Sequence, residues 1–401
     1  MKSLYLFLLL SIPCFIYAQI SIPDANFKSK LLSQNLELSA LVARDLNNEP
    51  LIIDANNNGQ IEASEALNVS SLRVVDAGIQ SIEGIQFFLN LKALTCYNNQ
   101  ITTLMYNLPL LESLWCGQNQ LTQVDLHYFP LLSTLDCNSN QISTLDFRGH
   151  EMKFVYCSEN AIHDIFWGTF SDGAYIEISS NQLTSLEIAA PGKNLHRLDF
   201  SSNPITHFVV EAKSFDHFIC MNTSLTELDL SQIERGDYIS MECTIKDNMN
   251  LHSISFKNAA LDFCIPPVGF NCSESTFTLQ NNPTLVSVCA DEGTETTYLQ
   301  PFATALGFTL NSDCDLATKN NVDIYESALY PNPAESFVTI HSNFKIDQAQ
   351  IFNTLGQIVK TSVNRSQKTD LTVFVDDLKP GTYFVTIASD TGKTTKKFIK
   401  L

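Results

Sequence analysis

An asparagine returns at nearly constant intervals through the middle of this 401-residue chain, and this spacing constrains the fold more than any other feature. The repeat steps through positions that lie 20 to 22 residues apart: Ala77, Asn99, Asn119, Asn140, Asn160, Asn181, Asn203 and Thr223. The pattern around each position is L-x-x-L-x-(C/V/I/F)-x-x-N-x-(L/I)-x-x-(L/I/F). A period of this length predicts a solenoid, in which each coil buries its apolar side by stacking on its neighbours.

The second feature of the repeat is a cysteine three residues before the asparagine. Alternation along L-x-x-L-x-C places the leucine and the cysteine inward on a short strand. The cysteines are Cys96, Cys116, Cys137 and Cys157, and other coils hold Val74, Ile178 and Phe200 at this position. Zinc would need ligands that converge on a point, as C-x-x-C pairs do, and a disulfide ladder is disfavoured because side chains on adjacent parallel strands point the same way. We therefore predict thiols that are packed in the core.

These segments resemble leucine-rich repeats over roughly Leu67 to Cys314, in particular a short bacterial form whose second half reads LTQVDL, ISTLDF or LTSLEI here. The resemblance implies a leucine-rich repeat solenoid over 67–315, with short parallel strands and few helices. We expect the asparagine to turn the chain and to offer its amide to backbone groups of the neighbouring coil. After Thr223 the coils lengthen, since CTIKDNMNLHSI and FTLQNNPTLVSV match position for position at a spacing of thirty-four residues.

Four cysteines lie outside the regular coils, in irregular segments or at the end of the repeats. They are Cys264, Cys272, Cys289 and Cys314. In an exported protein they are candidates for two disulfides, Cys264–Cys272 and Cys289–Cys314. The second disulfide would seal the last coil, where an apolar core otherwise meets water.

The chain begins with MKSLYLFLLLSIPCFIYA, which has a short basic start, an apolar stretch and a small residue at Ala18. This pattern predicts a secretory signal peptide over 1–18, with cleavage between Ala18 and Gln19. Residues 19–66 then form an N-terminal cap that precedes the repeats. Its first part predicts a short amphipathic helix with Asp24 at the N-cap.

Within this cap, DANNNGQIEASE fits the EF-hand-like pattern D-x-[DN]-x-[DN]-G-x5-E. Oxygen ligands at alternate residues can wrap a calcium ion, while Gly59 permits the sharp turn and Glu65 binds through two oxygens. The predicted ligand residues are Asp54, Asn56, Asn58, Gln60, Glu62 and Glu65. The alternative is an asparagine-rich turn ahead of a helix. Because two ligands are neutral asparagines, we expect weak structural binding, with a Kd of the order of 10⁻⁴–10⁻³ M.

The C-terminal part changes character. Residues 316–327 form a polar linker, and residues 328–401 alternate apolar and polar residues between turns, which predicts a small antiparallel β-sandwich. This segment resembles the sorting domain recognised by the type IX secretion system of Bacteroidota. The matching residues are Tyr330, Pro331, Asn332, Pro333, Gly356, Leu378, Gly381, Tyr383, Lys397, Phe398 and Lys400. The resemblance implies Sec export, passage across the outer membrane with the secretion machinery as partner, and release or surface attachment. An ordinary adhesive β-sandwich is the alternative.

Charge and motifs exclude several classes of function. The net charge is -19, while the segment from Asn320 onward is nearly neutral, with nine Lys/Arg against eight Asp/Glu. An acidic body repels phosphate backbones, so we expect no nucleic-acid partner. After the signal peptide, no stretch has the roughly 18 uninterrupted apolar residues of a spanning helix. The sequence contains no H-E-x-x-H, no G-x-S-x-G and no Gly-rich phosphate loop, so we expect no enzyme.

The remaining candidate is a binding surface on the concave side of the solenoid. Strand positions between the inward residues face that side, and several hold aromatics beside carboxylates, which protein and sugar recognition often use. They are Tyr97, Trp115, Asp136, Phe154, Tyr156, Tyr175, Glu177, Asp199 and His217. We therefore expect a secreted or surface protein that binds a protein or glycan ligand. The alternative is a structural surface-coat protein without a discrete ligand.

Overall fold

The computed structural model describes residues 19–233, 242–257, 277–312, 327–342, 345–353, 357–364, 369–388 and 393–401. The chain divides into two compact units, Met1–Ser312 and Asp313–Leu401. The predicted signal peptide and most of the predicted linker lie outside the described residues, as does Gly356.

The first unit is built mainly from parallel strands. Its α-helices are α1 Ala25–Leu31, α2 Ala63–Ala66 and α3 Thr294–Leu306, with 3₁₀ turns at Ile85–Phe87 and Leu126–Tyr128. Its strands are β1 Ala43–Arg44, β2 Pro50–Leu51, β3 Ser71–Arg73, β4 Ala93–Thr95, β5 Ser113–Trp115, β6 Thr134–Asp136, β7 Thr144–Asp146, β8 Glu151–Tyr156, β9 Asp164–Phe166, β10 Thr169–Glu177, β11 Ser185–Asp199, β12 His207–Met221, β13 Glu227–Asp229, β14 Glu242–Lys246, β15 Ser253–Ser255, β16 Phe277–Gln280, β17 Ser287–Cys289 and β18 Thr309–Asn311.

Twelve strands form one sheet in the order β16-β14-β12-β11-β10-β8-β6-β5-β4-β3-β1-β2. Neighbouring strands from β3 to β16 are parallel, and the short cap strands β1 and β2 pair antiparallel at one end. A second parallel sheet has the order β13-β15-β17-β18, and β7 pairs with β9. The predicted leucine-rich repeat solenoid with short parallel strands and few helices is confirmed.

The core is a stack of equivalent inward side chains. The central residues of successive strands are in register and buried: Leu72, Leu94, Leu114, Leu135, Val155, Ile176, Leu198 and Phe218. Two residues further along each coil lies a second buried row: Val74, Cys96, Cys116, Cys137, Cys157, Ile178, Phe200 and Cys220. Burial of each large apolar side chain stabilises the fold by roughly 1.5–3 kcal/mol.

The repeat cysteines belong to this second row, as predicted. Cys96, Cys116, Cys137 and Cys157 are free and buried, and the Sγ atoms of Cys137 and Cys157 lie 3.0 Å apart. Burial raises the pKa of the Cys96 thiol to about 12. These thiols therefore act as small apolar side chains of the core.

The asparagines form a hydrogen-bonded ladder between coils. Asn181 is typical: its Nδ2 donates to Cys157 O of the preceding coil at 2.9 Å and to Ile178 O of its own coil at 3.0 Å. Its Oδ1 accepts from Ile162 N of the preceding coil at 3.0 Å. The residue before each ladder position is left-handed, as Ser180 is with φ of 55°. The expected role of the asparagine is thus confirmed: it satisfies backbone groups that a tight turn would otherwise leave unpaired.

The coils of β11 and β12 depart most from the expected short strands. β11 and β12 each contain fifteen residues and pair in parallel from Ser185↔His207 to Asp199↔Ile219, with a register shift between Ala190 and Asn194. The reason is local, because Leu186, Ile188 and Ala190 are buried while the residues between them are exposed. This alternation continues the strand through a segment that turns in the other coils.

The N-terminal cap is joined to the first coil through Asp24. Its Oδ1 accepts from the N–H groups of Asn26 and Phe27 at 2.9 Å and caps α1, and its Oδ2 accepts from Gln80 N at 2.8 Å and Ser81 N at 3.0 Å. Burial opposes ionisation, but these four hydrogen bonds outweigh it and lower the pKa of Asp24. One carboxylate therefore both starts the helix, as predicted, and holds it against the repeats.

The second unit contains two antiparallel sheets. Its strands are β19 Ser327–Tyr330, β20 Phe337–Ser342, β21 Gln348–Phe352, β22 Ile358–Val363, β23 Asp370–Phe374, β24 Gly381–Ala388 and β25 Lys393–Lys400. They form sheets of order β19-β20-β23 and β22-β21-β24-β25. Side chains from both sheets share one buried core, including Val338, Ile340, Ile351, Val385 and Phe398. The predicted small antiparallel β-sandwich is confirmed.

Candidate functional site

The outward face of the twelve-stranded sheet carries two rows of side chains, one on each side of the buried central residue of a strand. The upstream row consists of Ser71, Ala93, Ser113, Thr134, Phe154, Tyr175, Arg197, His217 and Glu242. The downstream row consists of Arg73, Thr95, Trp115, Asp136, Tyr156, Glu177, Asp199, Ile219 and Thr244. Neighbours within a row lie on adjacent strands, roughly 4.8 Å apart along the sheet.

Most residues predicted for the concave face fall in these two rows. The downstream row brings Trp115, Asp136, Tyr156, Glu177 and Asp199 together on five successive strands. The upstream row contains the other three predicted strand residues, Phe154, Tyr175 and His217.

Tyr97 is the exception among the predicted residues. It lies beyond the end of β4 and belongs to neither row. Its hydroxyl lies 3.4 Å from Arg73 Nη2, which donates to it. The next residue, Asn98, is left-handed and turns the chain.

The centre of the face is an aromatic cluster of Phe154, Tyr156, Tyr175, His196 and His217. The Phe154 ring centre lies 5.1 Å from Tyr175 and 6.2 Å from Tyr156. The Tyr175 ring lies 4.3 Å from His196, which lies 5.2 Å from His217. Such contacts fix the rings relative to one another and present a continuous π-surface on one side of the sheet.

Arg197 is a residue of the face that sequence reasoning missed. Its Nε lies 2.5 Å from Glu177 Oε1, off the N–H axis, and its Nη2 lies 3.8 Å from Asp199 Oδ2. Two of the predicted acidic residues therefore share a cation that the chain itself supplies. The signal was present in the sequence, because Arg197 holds the same repeat position as Tyr175.

Two histidine–carboxylate pairs extend the face toward β14. His196 Nδ1 lies 2.6 Å from Asp216 Oδ2, and His217 Nδ1 lies 2.8 Å from Glu242 Oε2. Burial raises the pKa of Asp216, although the contact with His196 acts in the opposite direction. His196, Asp216 and Glu242 were also missed, although His196 and Asp216 hold the same repeat position, directly after the first inward residue of their coils.

Asp136 occupies a different environment from the other carboxylates of its row. Its Oδ1 accepts from Asn138 N at 3.1 Å, and burial raises the pKa of Asp136 above its ordinary value of 3.8. Burial also raises the pKa of the neighbouring Tyr156, and Glu177, Tyr175 and Asp136 act in the same direction. The middle of the downstream row is therefore a partly desolvated region of negative potential.

The predicted calcium loop brings its candidate ligands into one turn. Asp54 Oδ1 accepts from Asn58 N and Asp54 Oδ2 from Gly59 N, both at 3.0 Å, and Gly59 has the predicted left-handed conformation with φ of 76°. Asn56 Oδ1 accepts from Asn58 N, and Asn58 Oδ1 accepts from Gln60 N. Local backbone N–H groups thus hold the side-chain oxygens in place.

The remaining candidate ligands have other partners. Glu65 accepts from Ala55 N at 2.9 Å and Glu62 N at 3.1 Å, and Glu62 accepts from the side-chain amides of Asn56 and Asn58. Burial, followed by the contact with Glu62, raises the pKa of Glu65. The side-chain oxygen of Gln60 accepts from Lys28 Nζ at 2.7 Å, which leaves its backbone carbonyl as the available ligand. Within the described ranges, no three His, Cys, Asp or Glu side chains are grouped to hold a metal ion, so calcium stays a prediction.

The expected disulfides can be followed only in part. Cys289 is disulfide-bonded. Cys264, Cys272 and Cys314 lie outside the described residues. Both pairings, Cys264–Cys272 and Cys289–Cys314, therefore stay predictions.

In the second unit, the first and last segments of the sorting-domain motif contact each other. Asn332 Oδ1 accepts from Ile399 N at 2.9 Å, and Ala334 N donates to Ile399 O at 2.8 Å. Phe398 is buried and its ring lies 5.7 Å from that of Tyr383. The opening Tyr-Pro-Asn-Pro segment and the C-terminal Lys-Phe-Ile-Lys segment therefore form one structural element, although more than sixty residues separate them.

The fold and this element define an exported leucine-rich repeat protein. Residues 328–401 match the family described as the secretion system C-terminal sorting domain. The chain is therefore a leucine-rich repeat protein that carries a type IX secretion sorting domain, and this domain directs export to the cell surface or the extracellular space.

Solved structures similar to this chain include proteins of Listeria monocytogenes. An internalin (inlF) is 17% identical with a TM-score of 0.34, and the match covers 75% of this chain and 94% of that one. The functional domain of InlJ, which includes a cysteine ladder, is 16% identical with a TM-score of 0.23, covering 95% and 97%. Internalin C2 is 16% identical with a TM-score of 0.33, covering 66% and 98%. No curated protein sequence matches the chain.

Among the helices of the described segments, none is long and apolar enough to cross a membrane.

Proposed function

We propose that the solenoid binds a protein or glycan ligand through the two rows on its outward face, in an adhesive or interaction role at the cell surface. The observation that carries this proposal is the packing of aromatic and acidic side chains across successive strands, centred on Trp115, Asp136 and Tyr156. Aromatic rings beside carboxylates supply contact area and polar specificity together. A passive coat protein needs no such concentration on one face.

The supporting detail is that this face is not a uniform covering of polar residues. At the β3 and β4 end the rows contain small side chains such as Ser71, Ala93 and Thr95, whereas the aromatic cluster begins at β8. The downstream row reaches its largest side chain at Trp115, which is only partly buried. Partly exposed aromatics grouped in this way are typical of the residues that dominate binding energy at interfaces.

Affinity capture tests this function. Mature full-length protein would be immobilised and incubated with extracts of host or neighbouring cells, in parallel with Trp115→Ala/Tyr156→Ala. We expect one partner that the wild type retains and the double variant loses. Phe166→Ala is the control, because Phe166 is an aromatic residue on the surface, 47% exposed, that belongs to the β7–β9 pair and not to the two rows. Equal retention by all three proteins would refute the assignment of binding to this face.

We also propose that loop 54–65 binds Ca²⁺ as a structural ion. Support comes from the burial of three carboxylates in this one loop, since Asp54, Glu62 and Glu65 are 3%, 5% and 8% exposed. Buried carboxylates are destabilising unless a cation or hydrogen bonds compensate them. Calcium prefers such a set of carboxylate and amide oxygens.

Two further points complete the proposal. We propose that residues 1–18 act as the Sec signal peptide, because a sorting domain that acts at the outer membrane requires earlier transport across the inner one. We also propose that the protein has no enzymatic activity. The support is that its sequence lacks the nucleophile, metal and phosphate motifs sought above, and that the carboxylates near Arg197 are engaged in ion pairs.

A further inference from the structure

Asp136 and Asp199 are equivalent residues in two coils of the solenoid. Both belong to the downstream row, and each accepts through Oδ1 from the backbone N–H two residues further along, Asn138 at 3.1 Å and Ser201 at 3.0 Å. This bond fixes the carboxylate orientation and leaves Oδ2 for a second partner. The solenoid thus presents the same carboxylate twice on one face.

The two aspartates differ in their second partner. Asp199 Oδ2 lies 3.8 Å from Nη2 of Arg197, which precedes it by two residues on the same strand. The corresponding residue before Asp136 is Thr134, whose short side chain is nearly buried. In the part of the chain that the structure describes, no basic side chain forms an ion pair with Asp136. The coil that contains Asp199 supplies its own cation, and the coil that contains Asp136 does not.

The surroundings of Asp136 suit a planar cation. Trp115 and Tyr156 flank it in the downstream row, and Phe154 lies beside Thr134 in the upstream row. Gly117 packs closely against the carboxylate on one side, since a Cβ at that position would lie 3.1 Å from Asp136 Oδ1. A guanidinium stacks on aromatic faces and pairs with a carboxylate through its N–H groups, more effectively than an ammonium does.

We infer that Trp115, Asp136 and Tyr156 form a subsite for an arginine side chain of a protein partner, an inference that rests on the binding function proposed above. Arg197 provides the example within the chain, because it places a guanidinium between Glu177 and Asp199 beside Tyr175. The arginine of the partner takes the corresponding place above Thr134. The net charge of -19 favours the approach of a basic partner segment.

Peptide titration tests the subsite directly. Mature full-length protein would be titrated calorimetrically with tetra-arginine, tetra-lysine and tetra-citrulline peptides at fixed ionic strength. Asp136→Asn and Asp199→Asn are matched variants with the same net charge. We expect Asp136→Asn to weaken tetra-arginine binding roughly tenfold, the loss of one charge-assisted hydrogen bond. Asp199→Asn should change it less than about twofold, because Arg197 already occupies that carboxylate.

The citrulline and lysine peptides distinguish specific binding of arginine from nonspecific attraction to the acidic protein. Citrulline is neutral and close in shape to arginine, so tetra-citrulline should bind at least tenfold more weakly, and tetra-lysine should fall between the two. Equal weakening by both aspartate variants would overturn the subsite in favour of general acidity. Equal affinity for arginine and lysine peptides would overturn the assignment to arginine. Circular dichroism and melting temperature would verify that both variants are folded.

The result can be separated from that of the capture experiment. If the captured partner is lost with Trp115→Ala/Tyr156→Ala and is retained at full affinity by Asp136→Asn, the binding face stands and the arginine subsite is refuted. If no partner is captured while the peptides discriminate Asp136 from Asp199 as expected, the subsite is supported and the proposed function is not.

Discussion

Asn203→Ala tests whether the asparagine ladder stabilises the solenoid as strongly as its contacts indicate. Asn203 is 1% exposed. Its Nδ2 donates to Ile178 O of the preceding coil and Phe200 O of its own coil, both at 3.0 Å, and its Oδ1 accepts from Leu183 N at 3.1 Å. Alanine removes all of these partners together. The methyl group cannot replace them.

The magnitude follows from the groups that lose their partner. Leu183 N–H and Phe200 C=O lose the partner that Asn203 provides, and both lie in the buried interior. Ile178 C=O keeps a second donor, Asn181 Nδ2 at 3.0 Å. A buried polar group without a partner costs roughly 1–3 kcal/mol. Two such groups give an expected loss of about 3 kcal/mol in the free energy of unfolding, since partial relaxation offsets part of the sum.

Urea unfolding followed by far-UV circular dichroism measures this loss. Asn250→Ala provides the matched control, because Asn250 is exposed and its backbone carbonyl, which alanine retains, accepts from His252 Nδ1 at 2.6 Å. We expect the control to change stability by less than about 0.5 kcal/mol. Each variant must unfold with the slope of the wild type for the comparison to hold. A loss below about 1 kcal/mol for Asn203→Ala, or a loss equal to that of Asn250→Ala, would refute the reasoning.

Three further predictions concern calcium, pH and export. Millimolar CaCl₂ should raise the melting temperature of the wild type but not of Asp54→Ala/Glu65→Ala, because an ion that binds the folded loop stabilises it. Calorimetry measures both melting temperatures, and an equal rise in the two proteins would exclude this site. Tetra-arginine affinity should fall as pH is lowered through the raised pKa of Asp136, since a protonated carboxyl no longer pairs with the cation, and titrations of Asp136→Asn should lack this dependence. Protein truncated after Thr318 should fold but remain in the periplasm of its native host. Residues 328–401 fused to an unrelated periplasmic protein should carry that protein to the surface or the medium. Immunoblots that find the truncated protein outside the cell in normal amounts would contradict the sorting assignment.

The periodic features of the fold could be predicted from the sequence because each coil repeats the same physical requirements. A leucine, a small inward residue and an asparagine at fixed spacing specify a strand, a buried row and a turn. Burial of Cys137 and Cys157 followed from this pattern, since their position holds Ile178 and Phe200 in other coils. The same pattern constrains every coil, so a wrong prediction for one coil does not change the prediction for the others.

Local departures from the period could not be predicted. Tyr97 was placed on the face by extending the strand alternation beyond Thr95, where β4 ends and the chain turns at Asn98. His196 was missed although its repeat position recurs, because it lies at a register shift between β10 and β11, where Ala174 pairs with Leu195 and Tyr175 with Arg197. Where a strand ends and where its register shifts depend on its hydrogen bonds to the adjacent strands. The sequence of one coil does not show these bonds.

The sequence also does not show which carboxylates of the outward face are paired with a cation. Glu177 and Asp136 are both acidic residues in outward positions, and the sequence gives them equal weight. Only the structure shows that Arg197 neutralises Glu177, while burial near Asp136 raises the pKa of that carboxyl instead. Candidate binding residues in a repeat are therefore better ranked by whether the chain supplies their partner than by residue type.

A solenoid provides its own comparison for this ranking, because equivalent positions recur in coils with different neighbours. Thr223 stands where Asn203 and Asn181 stand, and it compensates by donating both its N–H and its hydroxyl to Asn248 Oδ1, at 2.9 Å and 2.7 Å. That departure from the pattern has a structural partner within the chain. Trp115 departs from its neighbour Thr95 just as strongly, yet it lies on the outward face, where core packing does not require a large ring. A departure without a structural partner indicates selection for something outside the chain, and this is why Trp115 and Asp136 are the first residues to test.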